Sequence, residues 1–210
     1  MEINPITIVG CGPGALDYVT PAALRAIRQA RVLVGARRLL DQFPEVEAER
    51  IVVRADVPGA LDAMSRHVGA RPVAVLVTGD PGLCSLARPV LHRFGPCRVI
   101  AGISSVQAAF ASIGEDWQGA RILSAHDRVP EADFASLAAE PKIALLAGNP
   151  ATADWVRGLS RALAPTHTLT ICENLTLENE SVRRADPLSL PMNLTSRTLL
   201  LFLKPEAPRA

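Results

Sequence analysis

Lysine is nearly missing from this chain: of its 22 cationic residues only Lys142 and Lys204 are lysines. The codon bias of a GC-rich genome accounts for such a skew. The functional reading is that arginine binds planar carboxylates or phosphates through two hydrogen bonds. An excess of either charge is missing too. The 22 cationic and 21 acidic residues leave a formal charge of +1, so the basic footprint of a nucleic-acid binder is absent. No two of Cys11, Cys84, Cys97 and Cys172 have the close spacing of a zinc clip. No cationic-then-apolar leader opens the sequence. The longest uncharged run, Val99 to Gly114, holds Gly, Ser and Gln and is not a membrane span. These absences point to a cytoplasmic protein with no membrane partner, no metal and no disulfides, its thiols buried. The sequons at Asn174, Asn179 and Asn193 then read as coincidence. What the chain does have is 49% hydrophobic residues over 210 positions, enough to bury a sizeable core.

Short apolar runs alternate with helical patterns, the signature of an α/β fold. Strands are expected at Ile6–Val9, Val32–Val34, Arg50–Arg54, Val73–Val77 and Arg98–Ala101. Helices are expected at Pro21–Ala30, capped by Thr20, then at Ala60–Val68, at Ser85–Phe94, bent or started late because of Pro89, and at Ser105–Ile113. The polar, glycine-bounded segment Gly114–Gly119 suggests a boundary. It divides the chain into an N-terminal α/β domain with a mostly parallel sheet (1–114) and a C-terminal α/β domain with a mixed sheet (115–210). In the second half, strands are expected at Arg121–Ser124, Ile143–Leu146 and Thr168–Cys172, and helices at Ala132–Ala139 and Ala153–Leu163. Ser181–Arg184 and Thr198–Leu203 follow with no helix between them, which favours antiparallel pairing. Two α/β domains imply a cleft, a common home for small ligands.

Three strand ends carry glycine loops. Gly10-Cys11-Gly12-Pro13-Gly14-Ala15 formally fits the dinucleotide pattern. However, Leu16 to Thr20 separate it from the next helix, and Val34 is followed by no ribose-binding acid. Gly35-Ala36-Arg37-Arg38 stands there instead, which leaves an NADP-dependent oxidoreductase as an alternative. The second loop is Thr78-Gly79-Asp80-Pro81-Gly82, which also reads as a plain turn. The third is Ala101-Gly102-Ile103-Ser104-Ser105, where Ser104 also reads as a helix cap. Val106 stands where a serine nucleophile elbow needs glycine. All three loops fall at carboxyl ends of strands, where open α/β sheets bind ligands.

With these motifs the chain resembles the tetrapyrrole methylases, S-adenosylmethionine-dependent enzymes of cobalamin and sirohaem synthesis. Val9 to Gly14 with Thr20 resembles their first signature, and Thr78 to Gly82 their second. Within the family it is most similar to the branch that methylates carbon 5 of precorrin. That similarity rests on Val34-Gly35-Ala36-Arg37-Arg38-Leu39-Leu40, Gly102 to Phe110, Ser124-Ala125-His126-Asp127-Arg128 and Cys172-Glu173-Asn174-Leu175. The resemblance implies two α/β domains with the cofactor in the cleft between them. It implies cofactor contacts, mostly through backbone, at Pro13, Thr78, Gly79, Asp80, Leu83, Ser104, Ser105, Ala147 and Leu175. Some relatives carry a catalytic acid where this chain has Ala36, so that mechanism does not transfer.

Methyl transfer from a sulfonium needs positioning above all, and no metal. His126 and Asp127 are the candidates for assisting proton loss from the methylated ring, the bland alternative being that they shape a loop. His67, His92 and His167 read as surface or helix-end residues. Arg37, Arg38 and Arg128 are the candidates for binding the carboxylates of a precorrin substrate. The resemblance further implies a homodimer and a carbon-15 methyltransferase/decarboxylase as a partner subunit or fused domain. Pro205-Glu206-Ala207-Pro208 reads as a tail or linker. Methylation at another precorrin position and a cofactor-free scaffold stay open beside the carbon-5 reading.

Overall fold

The computed structural model describes residues 6–205. The expected tail from Glu206 onward therefore lies outside the described residues. The chain divides into two compact units, one up to Ser104 and one from Ser105 onward. The division falls ten residues before the glycine-bounded segment, because the helix that begins at Ser105 packs on a strand of the second unit.

The first unit is a five-stranded parallel sheet: β1 (Ile6–Gly10), β2 (Val32–Gly35), β3 (Glu49–Val52), β4 (Val73–Val77) and β5 (Arg98–Ile100), in the order β3-β2-β4-β1-β5. Its helices are α1 (Pro21–Gln29), the single turn α2 (Arg37–Leu40), α3 (Val57–Ser65) and α4 (Ala87–Phe94). Alternation along the strands sends side chains to two cores. Val9, Leu33, Ala74 and Leu76 pack with Ala23 and Ile27 of α1 on one face. Ile8, Val34, Val73, Val75 and Val77 pack with Leu61 and Met64 of α3 and Ala87 and Val90 of α4 on the other. With helices on both faces, all five residues of β4 are buried. Connections leave β1 and β4 in opposite directions, so their carboxyl ends flank the point where an open α/β sheet splays.

Local signals set the helix starts. The Thr20 hydroxyl accepts from Ala23 N–H at 3.1 Å, and Pro21 occupies the first turn. Helix α3 starts at Val57, three residues before the expected Ala60. Asp56 caps it by accepting from Gly59 N–H, and Pro58 and Gly59 fit its first turn. Helix α4 starts at Ala87 rather than Ser85. Pro89 falls in its first turn, where no intrahelical N–H is required, so the helix is not broken.

The second unit holds α5 (Ser105–Ser112), β6 (Arg121–Ser124), α6 (Phe134–Ala139), β7 (Lys142–Leu146), α7 (Ala153–Leu163), β8 (Thr168–Glu173), β9 (Ser181–Ala185) and β10 (Thr198–Leu203). The sheet order is β6-β7-β10-β8-β9. The β6–β7 pair is parallel, and all other pairs are antiparallel; β9 and β10, expected to pair with each other, instead each pair with β8, which lies between them. β10 is the central strand. Leu200 and Phe202 face Leu159 and Leu163 of α7, with Leu137 of α6 in the same core. Phe134 meets Trp155 edge-on, with ring centroids 5.5 Å apart.

Phe202 is wholly buried, so Phe202→Ala should cost about 3–5 kcal/mol through lost burial and a cavity. Both tryptophans, Trp117 and Trp155, lie in the second unit. Urea unfolding followed by tryptophan fluorescence should show the midpoint fall, and an unchanged midpoint would contradict this core assignment.

Candidate active site

The three glycine loops leave three adjacent strands, β4, β1 and β5, at the same sheet edge. Their backbones touch. A Cβ on Gly10 would lie 2.6 Å from Gly102 N and 2.8 Å from Gly79 O. One on Gly102 would collide with Gly79 O and lie 2.9 Å from Gly10 Cα. Only glycine fits at either position, because main chain meets main chain there. Hydrogen bonds join the same loops. Cys11 N–H donates to Val77 O at 2.9 Å, and Gly79 N–H to Gly12 O at 2.7 Å. Asp80 accepts from Gly82 N–H at Oδ1 (2.8 Å) and from Gly102 N–H at Oδ2 (3.0 Å).

Pro13, Thr78, Asp80 and Leu83 line this edge half-buried, with Gly79 and Ser104 buried. The turn Leu16–Tyr18 separates the first loop from α1, which begins only at Pro21. No helix N-terminus therefore follows the glycines directly, as a dinucleotide loop requires. Arg38 donates to Thr78 Oγ1 at 2.7 Å, tying the segment after β2 to the second loop. Arg37 is exposed beside it and opens α2, and Ala36 is the extended residue just before that turn.

Sequence reasoning missed Gln42. Its Nε2 donates to Gly14 O at 2.9 Å across 28 positions of chain, and its Oε1 is buried without a hydrogen-bond partner. No local pattern signals such a long-range contact.

In the second unit, β6, β7 and β8 all end at one edge, since β7 and β8 both run antiparallel to β10. This edge gathers His126 and Asp127 after β6, Ala147 after β7, and Leu175 after β8. Ala147 N–H donates to Thr198 O at 3.0 Å. A Cβ on Gly148 would collide with Thr195 O, so that loop too is held backbone to backbone. Leu175 is buried between Asn174 and Thr176, both at positive φ (52° and 69°). Strain at a β-branched Thr176 concentrates at sites whose shape the surroundings dictate. Asn149 and Thr152 hold the His126 loop: Asn149 Nδ2 donates to His126 O, and Thr152 Oγ1 to Ala125 O at 2.7 Å. Burial pushes the His126 pKa below 6.5, with Asp127 opposing. Asp127 and Arg128 are exposed, and Ser105 opens α5.

Two expectations need correction. His167 is not at the surface. It is buried, with Nδ1 2.8 Å from Thr166 Oγ1 and Nε2 2.9 Å from Glu140 O, and burial lowers its pKa. The thiols are not all buried either. Cys84 is exposed at φ 45° in the turn leading to α4, while Cys11 and Cys172 are buried. Among the described residues no group of His, Cys, Asp or Glu is arranged to hold a metal, and no helix is long and apolar enough to cross a membrane.

A parallel sheet with converging glycine loops, coupled in one chain to a mixed sheet, defines a two-unit α/β protein of the ligand-binding open-sheet class. Residues 5–189 match the model of the Tetrapyrrole (Corrin/Porphyrin) Methylases, and the chain belongs to that family. It is 34% identical over 180 residues to cobalt-precorrin-7 C(5)-methyltransferase of Salmonella typhimurium, covering 84% of this chain and 88% of the relative. The precorrin-6Y methylase structure from Archaeoglobus fulgidus is similar at a TM-score of 0.73 and 25% identity, covering 96% of this chain and 98% of that one. Uroporphyrin-III C-methyl transferase from Thermus thermophilus, solved with S-adenyl homocysteine, shares the fold at a TM-score of 0.72 and 21% identity, covering 94% and 96%.

Burial pushes the Cys11 and Cys172 thiols up to about 12, so at pH 8 each is thiolate about one part in ten thousand. A thiol-specific reagent at pH 8 should therefore label exposed Cys84 quickly and leave Cys11 and Cys172 unlabelled until the chain unfolds. Mass mapping of the labelled peptides checks this.

Proposed function

We propose that this chain transfers the methyl group of S-adenosylmethionine to carbon 5 of a precorrin macrocycle in cobalamin biosynthesis. The observation that carries the proposal is the convergence of three glycine loops on adjacent strand ends in a chain of the tetrapyrrole methylase family. That convergence fits the cofactor: side chains at Gly10 and Gly102 would fill the close approach, and the bare backbone presents N–H and C=O groups to a polar ligand. When bound, S-adenosylmethionine supplies a methyl group already activated on sulfur.

The protein's task is then binding and orientation, worth up to roughly 7–11 kcal/mol of barrier in favourable cases. Pro13, Thr78, Gly79, Asp80, Leu83 and Ser104 of the first unit hold the cofactor, joined by Ser105, Ala147 and Leu175 of the second. Arg37, Arg38 and Arg128 bind the carboxylates of the macrocycle, with Arg38 also braced on Thr78. His126 accepts the proton that leaves after methylation. Its lowered pKa keeps the imidazole neutral at pH 7, as a base requires, and Asp127 offsets the charge that it gains. The chain works in the cytoplasm as a homodimer, and a carbon-15 methyltransferase/decarboxylase is its functional partner.

Calorimetric titration with S-adenosylhomocysteine should show micromolar binding, with no heat from NADPH. Gly79 sits at φ 68°, so Gly79→Leu strains the second loop and should abolish binding. NADPH binding alone overturns the reading, and normal binding by Gly79→Leu refutes the assigned pocket. Labelled donor with precorrin then tests the ring position, where label at another carbon would refute carbon 5.

The His126 role carries a pH signature. Because its pKa is depressed, the neutral imidazole persists on acidification past pH 6.5. Methyl transfer should stay level from pH 8 to below 6.5 and fall only on further acidification, and His126→Gln should remove that acid limb. An acid limb unchanged in His126→Gln would exclude His126 as the proton acceptor.

A further inference from the structure

We infer that Asp80 is a positioning residue whose carboxylate ties the second glycine loop to the third and so sets where Ser104 stands. The inference deepens the cofactor reading above, and it rests on geometry within the first unit alone. Oδ1 accepts from Gly82 N–H at 2.8 Å, which closes the turn of its own loop. Oδ2 accepts from Gly102 N–H at 3.0 Å, 22 positions along the chain, in a loop that leaves a different strand. The two loops come off β4 and β5, which are not neighbours, since β1 lies between them. No sheet hydrogen bond therefore fixes one loop against the other. The carboxylate spans that gap.

Glycine at position 102 makes the approach possible. Its missing side chain lets the third loop rest against Gly79 O and Gly10, and the Gly102 N–H is thereby presented to Asp80. Ser104 follows two residues later and is buried, and Ser105 opens α5. The chemistry requires a carboxylate. The two backbone donors lie on different oxygens, Oδ1 and Oδ2, and at this side-chain length Asp supplies both as acceptors. Asparagine offers one oxygen and one NH2. It can satisfy one loop only by turning a donor toward the N–H of the other, which opens the tie. Hydrogen bonds to a charged group are the stronger kind.

The test is amide hydrogen exchange on the unliganded full chain, beside calorimetry with S-adenosylhomocysteine, for wild type and Asp80→Asn. The Gly102 amide should exchange about 10- to 100-fold faster in the variant, while amides of β4 such as Val75 keep their protection. Affinity for S-adenosylhomocysteine should weaken by a similar factor. A measurement on the wild type keeps the inference testable even if the variant folds poorly: the Gly102 amide, held by Asp80 Oδ2, should be protected from exchange although it lies in a loop.

Unchanged Gly102 exchange in Asp80→Asn, or a wild-type Gly102 amide that exchanges as fast as an unbonded loop amide, would overturn the tie. Faster exchange with undiminished affinity would overturn its bearing on the ligand. Weaker binding with unchanged exchange would mean that the carboxylate touches the ligand directly, and that also overturns the positioning role. The two readings fail separately. If the wild type binds no S-adenosylhomocysteine but Gly102 still depends on Asp80, the tie stands and the methyltransferase reading falls.

Discussion

Everything at the ligand edge of the first unit depends on one close approach, where the backbones of Gly10, Gly79 and Gly102 meet without intervening side chains. Three strands end there side by side. In an ordinary parallel sheet the loops beyond such ends diverge toward their helices, kept apart by side-chain volume. Here the missing Cβ atoms let them collapse onto one another. The Gly79 N–H to Gly12 O bond and the Asp80 carboxylate then hold them in register. The result is a shelf of backbone groups on a firm scaffold, because β4 and nearly all of β1 beneath it are buried. A shelf of that kind is suited to hold a ligand by shape and main-chain polarity rather than by charge.

The second unit reaches a comparable end by a different route. Its sheet is mixed, and the central strand β10 runs against both neighbours, so β7 and β8 finish on either side of the point where β10 begins. The loops there are pinned to the start of β10 through Ala147, Gly148 and Asn174. Strain is concentrated in the same place, at Asn174 and Thr176. His126 stands on this edge in a loop held by Asn149 and Thr152, with a neutral imidazole favoured by burial.

The arginine-rich composition also takes on a structural sense. Arg38 braces the second loop through Thr78. Arg50 donates to the carbonyls of Leu40 and Phe43 and so fixes the turn after α2. Part of the arginine excess is therefore spent on holding loops, a role for which a planar fork of donors is better adapted than a point charge.

The sequence by itself determined the element types, because apolar periodicity and capping chemistry are local: Val73–Val77, Ala153–Leu163 and Thr198–Leu203 are found at their expected bounds. It also made the glycine loops and strand-end positions of the candidate site legible, since turn chemistry is written in adjacent residues. The helix start at Val57 was missed, where Pro58 and Gly59 stand in the first turn, while the late start of α4 at Ala87 was legible from Pro89. Only the tertiary structure decided what depends on contacts distant in sequence: the order that sets β1 between β4 and β5, the backbone meeting of Gly10 with Gly102, and the reach of Gln42 to Gly14. It likewise decided the burial of His167 and the exposure of Cys84, because burial is fixed by what other elements bring over a residue and not by its neighbours in the chain.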